Sequence, residues 1–156
     1  MARAAAAACA LLLIATAASG CGEEEGVAEG ATVSAYAERT VCGGSGPLTA
    51  AVTTADGERV KLRVLCLRDA RGGGVDLATA GANARRATQD SRTVAFLEAP
   101  DPAVGRFTHP ILEMAGVGWV TTPASGQAAV DRLARILAGA DSGDLRADVR
   151  EALGQA

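Results

Sequence analysis

VKLRVLCL, residues 60–67, begins with alternating apolar and charged side chains and ends as a continuous apolar run. This pattern is typical of a β-strand whose far end is buried on both faces of a sheet. After a glycine-rich loop, Asp76 can cap a helix through its carboxylate, and apolar residues then recur at helical spacing as far as Ala87. The β-branched and aromatic segment Thr93–Leu97 is the next predicted strand. The order strand, helix, strand indicates a βαβ unit, which requires a parallel pair of strands.

The segments on either side continue the alternation of strands and helices. Thr32–Glu38 alternates small apolar and polar residues and is predicted to be the first strand. Further along the chain we expect a helix over Ala103–Ala115, kinked or starting at Pro110, a strand over Val117–Thr122, a helix capped by Ser125, and a last helix over Gly143–Leu153. The predicted fold is therefore α/β, a small three-layer parallel sheet with helices on both faces.

In one region the sequence pattern gives only a weak indication of secondary structure. Residues 42–57 are rich in glycine, serine and threonine, and at most a short helix over Leu48–Thr54 is expected there. The rest of the chain from residue 31 to residue 156 is predicted to form a single α/β domain, because it has about the commonest size for one hydrophobic core.

Residues 1–20 are predicted to be a signal peptide. Arg3 precedes an apolar stretch, Ala4–Ala17, that is too short to span a bilayer, and the small residues Ala18-Ser19-Gly20 precede Cys21. This site resembles a bacterial lipobox, in which the cysteine is acylated and becomes the new N-terminus. Ala18 stands where a lipobox usually has leucine or another aliphatic residue, so ordinary secretion is the alternative. The lipobox predicts an extracytoplasmic protein that is held at the cell membrane by lipid on Cys21.

The first residues after Cys21 are predicted to form a tether. Residues 22–30 carry four glutamates among glycines and have almost nothing apolar to bury, so we expect residues 21–30 to be a lipidated, solvated segment. The whole sequence has a net charge of −3 and a pI of about 5.2. Because no basic face alternates with aromatic residues, nucleic-acid binding is excluded as a function.

Two cysteines remain for the folded domain. Cys9 leaves with the signal peptide and Cys21 carries the lipid, so Cys42 and Cys66 are left in an oxidising compartment. They follow the carboxyl ends of two strands that we expect to be parallel neighbours, which brings them to one sheet edge and favours a disulfide. Two free buried thiols are the alternative. A metal site has too few ligands, since His109 is the only histidine and no C-x-x-C spacing is present.

Three phrases, read in order, resemble a known family. They are Asp69-Ala70-Arg71-Gly72-Gly73, then Ala82–Asp90, then Pro110-Ile111-Leu112-Glu113-Met114-Ala115-Gly116-Val117. Together they are similar to the first lobe of leucine-binding, branched-chain amino-acid type periplasmic substrate-binding proteins of ABC transporters, most strongly over residues 60–125. The resemblance implies an amino-acid-like ligand, an ABC permease as partner, and ligand contacts at Asp101, Thr121, Thr122 and Ser125.

The sequence also departs from this family. Family members close two lobes over the ligand, whereas this chain has room for one, so a truncated and partly degenerate form is expected. Glu98 and Pro102 stand where the family holds the ligand carboxylate. Glu98 would repel a carboxylate, and Pro102 offers neither a hydroxyl nor an N–H. Weak or no ligand binding is therefore expected, and the second hypothesis is a structural or interaction lipoprotein that keeps one α/β lobe without binding a ligand.

No catalytic constellation is evident, and we expect neither an enzyme nor a cofactor. His109 has no nucleophile at a diagnostic spacing, and Thr108-His109-Pro110 is interpreted as a helix entry. Gly72-Gly73-Gly74 lacks the spacing of a phosphate-binding loop. Trp119 is expected in the core, and Glu23-Glu24-Glu25 is interpreted as a solvated run without calcium-loop geometry.

Overall fold

The computed structural model describes residues 30–43, 48–67 and 76–155. The strands are β1 (Thr32–Ala37), β2 (Leu48–Thr53), β3 (Arg59–Cys66), β4 (Thr93–Glu98) and β5 (Gly118–Thr121). The helices are α1 (Arg39–Cys42), α2 (Leu77–Gln89), α3 (Pro102–Met114), α4 (Gln127–Leu137) and α5 (Leu145–Ala152). The strands form one sheet in the order β2-β3-β1-β4-β5.

The α/β fold class is confirmed, with one change to the sheet. Strand β1 pairs in parallel with β3 and β4, and β4 pairs in parallel with β5. Strand β2 is antiparallel to β3 at the edge, so the sheet is mixed rather than wholly parallel. An antiparallel edge strand on a parallel sheet is a common arrangement in α/β proteins.

The expected short helix over Leu48–Thr54 is wrong, because these residues form β2. Antiparallel pairing with β3 places Val52 opposite Val60, and both side chains are buried. Gly57 in the turn between the strands has a φ of 89°, which a residue with a Cβ rarely adopts. Pairing with a strong neighbouring strand therefore overrides the weak local preference of this small-residue segment.

Helices cover both faces of the sheet and complete the expected three layers. On one face, Ala84 and Leu112 from α2 and α3 belong to a core cluster with Tyr36 and Phe96. On the other face, α4 and α5 contribute apolar side chains to a larger cluster with strands β1, β3 and β4. Its helix members include Val130, Leu133, Leu137, Leu145 and Val149.

The disulfide between Cys42 and Cys66 is confirmed. The two Cα atoms are 5.9 Å apart, within the range that a disulfide requires. Cys42 is the last residue of α1 and Cys66 is the last residue of β3. The bond therefore joins the short helix that follows β1 to the carboxyl end of β3, and the parallel pairing of these two strands brings both cysteines to one sheet edge.

Two helix starts were predicted from capping residues, and one is correct. Asp76 precedes α2, and its side chain accepts a hydrogen bond from the backbone N–H of Ala78 at 2.9 Å. Ser125 does not cap α4. Gly126 takes that place with a φ of 58° and no side-chain cap, because this left-handed conformation suits glycine.

Helix α3 agrees to within one residue with the expected helix over Ala103–Ala115. It begins at Pro102, and the carboxylate of Asp101 caps it by accepting from the N–H groups of Ala103 and Val104. Pro110 lies within the helix, so the interpretation of Thr108-His109-Pro110 as a helix entry is wrong. His109 instead projects from the middle of α3.

The outer side of β5 is closed by the C-terminal segment. The side-chain amide of Gln155 accepts a hydrogen bond from Trp119 N at 3.0 Å and donates one to Trp119 O at 2.7 Å. These two bonds imitate a neighbouring strand at the sheet edge, where unpaired backbone groups would otherwise be exposed.

Several sequence predictions fall outside the described residues. They concern the signal peptide at residues 1–20, lipidation of Cys21, the tether as far as residue 29, and the glycine loop with the phrase Asp69–Gly73. Among the helices that the structure does describe, none has the length and apolar character needed to cross a membrane.

Candidate functional site

The strand order places a crevice at the carboxyl ends of the central strands. From β1 the chain runs through the edge strand β2 to β3, which lies on one side of β1, and then crosses through α2 to β4 on the other side. Open α/β sheets bind ligands outside the carboxyl ends of strands near such a change of direction. Glu38, which follows β1, connects the carboxyl ends of β1 and β4, because its carboxylate accepts a hydrogen bond from Ala99 N at 2.9 Å.

A buried carboxylate lies at the centre of the candidate site. Glu98, the last residue of β4, is only 2% exposed. One of its oxygens, Oε1, is 3.1 Å from Thr121 Oγ1 and 2.5 Å from His109 Nε2. The other, Oε2, accepts from Thr108 Oγ1 at 3.3 Å. The side chain is thus held by partners from α3 and from β5, as a buried charged group requires.

The ring of His109 is fixed from two sides. Its imidazole stacks on the indole of Trp119, with ring centroids 4.3 Å apart and an angle of 18° between the planes. Gly105, one helical turn earlier, leaves space for it, because a Cβ at that position would lie 2.9 Å from His109 Cε1. Trp119 is half-buried, so the prediction of a core tryptophan is only partly met.

An open cavity of about 490 Å³ lies in front of this cluster. It falls within the usual size range of small-molecule sites. Glu98, His109 and Thr121 line it together with Asp101 and Arg106. The cavity therefore brings carboxylates, a hydroxyl, an imidazole and a guanidinium to one place at the sheet edge.

Two of the four predicted ligand-binding residues lie in this cavity. Asp101 and Thr121 line it, although Oδ1 of Asp101 also caps α3. Thr122 is buried and its hydroxyl accepts from Ala124 N, while Ser125 packs near Gly43. Neither of these two residues lines the cavity.

Sequence reasoning underestimated Glu98 and His109. Glu98 was recognised as a charge hostile to a ligand carboxylate, and the structure shows it as the best-connected polar group of the cavity. A glycine four residues before the only histidine was the available signal, since the two share one face of a helix.

The cavity combines a buried carboxylate with an imidazole that contacts it. His109 Nε2 contacts a carboxylate rather than a hydroxyl or a thiol that it could activate. Within residues 30–43, 48–67 and 76–155, no group of three potential metal ligands comes together. An ionised Glu98 attracts an ammonium or another N–H donor and repels an anion.

Comparisons with protein-family models, with curated proteins and with solved structures find no significant match.

Proposed function

We propose that this protein is an extracytoplasmic lipoprotein, anchored through Cys21, that binds a small amino-acid-like solute in the Glu98 cavity. The observation that carries the proposal is the convergence of Glu98, His109 and Thr121 on a cavity of about 490 Å³ at the carboxyl ends of parallel strands. The resemblance to amino-acid-binding lobes supports the ligand class and makes an ABC permease the candidate partner.

The orientation of the ligand follows from the charges. The buried carboxylate of Glu98 suits the ammonium group of an amino acid, and it opposes the ligand carboxylate. Arg106 lines the same cavity and can face that carboxylate. An open single lobe buries less of a ligand than a closed two-lobed site does, so the expected affinity is weak.

Calorimetric titration with three matched compounds tests this assignment. The compounds are leucine, 3-methylbutylamine, which lacks the carboxylate, and 4-methylpentanoate, which lacks the amine. We expect leucine and the amine to bind, and the acid to give no heat. Isoleucine, valine and the other amino acids extend the panel. The isosteric variant Glu98→Gln should lose binding of the amine, and Glu113→Gln, which changes an exposed carboxylate on α3, is the matched control.

A second candidate function is a structural or interaction lipoprotein that binds no ligand. It is favoured by the way Thr108, His109 and Thr121 already occupy the Glu98 carboxylate. Absence of heat across the whole panel, with a correctly folded protein, would reject solute binding and support this second function. Saturable binding of any compound in the panel, tighter than about 100 μM, would reject the second function.

A further inference from the structure

One part of the sheet surface lies beyond the edge of helices α2 and α3. There, Arg59, Lys61 and Arg63 on β3 are exposed, while the apolar residues between them are buried on the opposite face. We call these three side chains the basic strip. Alternate residues of a strand point to the same face, so the strip is a straight row of three cations about 13 Å long.

The neighbouring strand leaves the basic strip open. Thr53, Ala51 and Thr49 of β2 stand opposite Arg59, Lys61 and Arg63, in that order, and all three are exposed. Their short side chains cannot cover the longer cations beside them. On β2, the helix contacts come from α4, which lies on the other face of the sheet.

The charges around the basic strip are known on each side. Burial and the Asp90 carboxylate raise the pKa of Tyr36, and the positive charges of Arg86 and Arg63 act in the opposite direction. Arg86 on α2 is exposed, whereas Asp90 is hydrogen-bonded to the Tyr36 hydroxyl. Within the described part of the chain, no carboxylate forms an ion pair with the strip.

The chain leading from Cys21 joins the sheet directly beside the basic strip. Gly30 N donates to Arg59 O at 2.6 Å, and Lys61 N donates to Ala31 O at 2.8 Å. Gly30 lies nine positions after Cys21 along the sequence, with eight residues between them. Even a fully extended chain of that length spans only about 30 Å, so an acyl group on Cys21 keeps the strip close to the bilayer.

We propose that the basic strip docks the domain on the anionic phospholipid headgroups of the membrane that carries it. This inference rests on the lipid anchor of the proposed function and adds an orientation to it. Each basic residue close to an anionic surface favours the docked orientation over the undocked one by about fivefold. Three such residues together favour the docked orientation by about a hundredfold. Salt weakens the contact, because the Debye length at physiological ionic strength is only about 8 Å.

The acidic residues of the tether are the competing occupant. Glu23, Glu24, Glu25 and Glu29 lie within a few residues of Gly30, and they carry the charge opposite to that of the strip. Exposed ion pairs are individually weak, whereas a bilayer presents a continuous negative surface to all three cations at once. The bilayer is therefore the occupant that the charge arrangement favours, and the test includes the tether as an outcome.

Lys61 is the only lysine of the sequence and reports directly on the strip. The full-length lipoprotein is reconstituted into vesicles of phosphatidylcholine alone or with 30% phosphatidylglycerol. Flotation shows whether the protein is anchored. Modification of Lys61 by a membrane-impermeant amine reagent is then quantified by peptide mass spectrometry. We expect at least fivefold slower modification on the anionic vesicles, with recovery in 0.5 M salt.

The control variants remove equal charge from different places. Arg59→Gln with Arg63→Gln should abolish the protection of Lys61, while Arg132→Gln with Arg135→Gln, on the exposed side of α4, should preserve it. Equal modification on both vesicle types, in a protein that floats with both, would overturn the docking alone. A protein that floats with neither would overturn the anchor and the docking together. If Lys61 is protected on neutral vesicles and this protection disappears when the four tether glutamates are changed to glutamine, then the tether, rather than the bilayer, covers the basic strip.

Discussion

His109 stacks on Trp119 with ring centroids 4.3 Å apart, and its Nε2 lies 2.5 Å from the carboxylate of Glu98. The imidazole thus connects the aromatic side of β5 to the buried end of β4. Gly105, one turn earlier on the same helix, leaves the space that the His109 ring fills, because any Cβ there would overlap the ring. The candidate site therefore depends on a residue that contributes no chemical group of its own.

Gly105→Ala should displace the imidazole. The new Cβ would lie 2.9 Å from His109 Cε1 and 3.1 Å from Nε2 on the same helix, so the imidazole must move from its present position beside Glu98. Since the sequence has a single histidine, NMR follows its ring protons without ambiguity, and we expect them to lose the ring-current shift from Trp119. Gly139→Ala is the control, with its nearest heavy atom 3.6 Å away. We expect Gly105→Ala to be less stable than this control by about 1 kcal/mol or more. An unchanged histidine spectrum would contradict the proposed packing.

Removal of the disulfide should lower the stability of the domain. Cys42 and Cys66 are separated by 24 residues along the chain, and closing such a loop is worth about 3 kcal/mol in the chain-entropy account. We expect the double variant Cys42→Ser with Cys66→Ser to lose this amount in urea denaturation. Reductant should reproduce the loss in the native protein and have no effect on the variant. A native protein that is insensitive to reductant would show that the bond is absent in solution.

Asp56 should make the fold sensitive to acid. Hydrogen bonds from the hydroxyls of Ser142 and Thr54 lower the pKa of Asp56 from 3.8 to about 2. Because the pKa in the folded state is the lower one, the carboxylate stabilises the fold above about pH 4, and this contribution is lost as the pH falls towards 2.

Urea denaturation from pH 6 to pH 2 checks this dependence. The difference in unfolding free energy between the native protein and Asp56→Asn should be largest above pH 4 and should shrink below it. The exposed Asp131 provides the control variant Asp131→Asn. A difference that stays constant over this range would disprove the role of Asp56.

Arg146 should be worth more to stability than an ordinary surface arginine. Its guanidinium donates to the backbone oxygens of Thr93, Ser91 and Asp90 at distances of 2.6, 2.9 and 3.1 Å. It thereby attaches α5 to the turn that precedes β4. Arg146→Ala leaves these oxygens to water and should cost about 2 kcal/mol of unfolding free energy. Arg132→Ala on α4 removes an exposed arginine from a helix and should cost less than about 0.5 kcal/mol.

The parts of the fold that were predictable are those with strong local patterns. The alternation in β3, the Asp76 cap and the β-branched run of β4 each lie within a single stretch of sequence. Strand β2 was missed because LTAAVT carries no pattern of its own and becomes a strand only by pairing with β3. The predicted cap at Ser125 failed because a glycine follows it directly and can adopt the left-handed conformation used at that helix start.

The candidate site was predictable only in part. Of the four ligand contacts expected from the sequence, Asp101 and Thr121 line the cavity, whereas Thr122 and Ser125 do not. The contact between Glu98 and His109 joins residues 11 positions apart on a strand and a helix, and it exists only because α3 packs back across the end of β4. Such a contact depends on tertiary packing, which the pattern within either element does not encode.

The two edges of the sheet differ in a way that limits self-association. Gln155 occupies the outward backbone groups of Trp119 on β5, whereas β3 supplies all the backbone partners of β2 that occur among the described residues. A second molecule that added a strand at β2 would do so with its own β2 and would present its capped β5 to the outside. Edge-to-edge pairing through β2 is therefore less hindered than pairing through β5, where Gln155 occupies the backbone groups of Trp119.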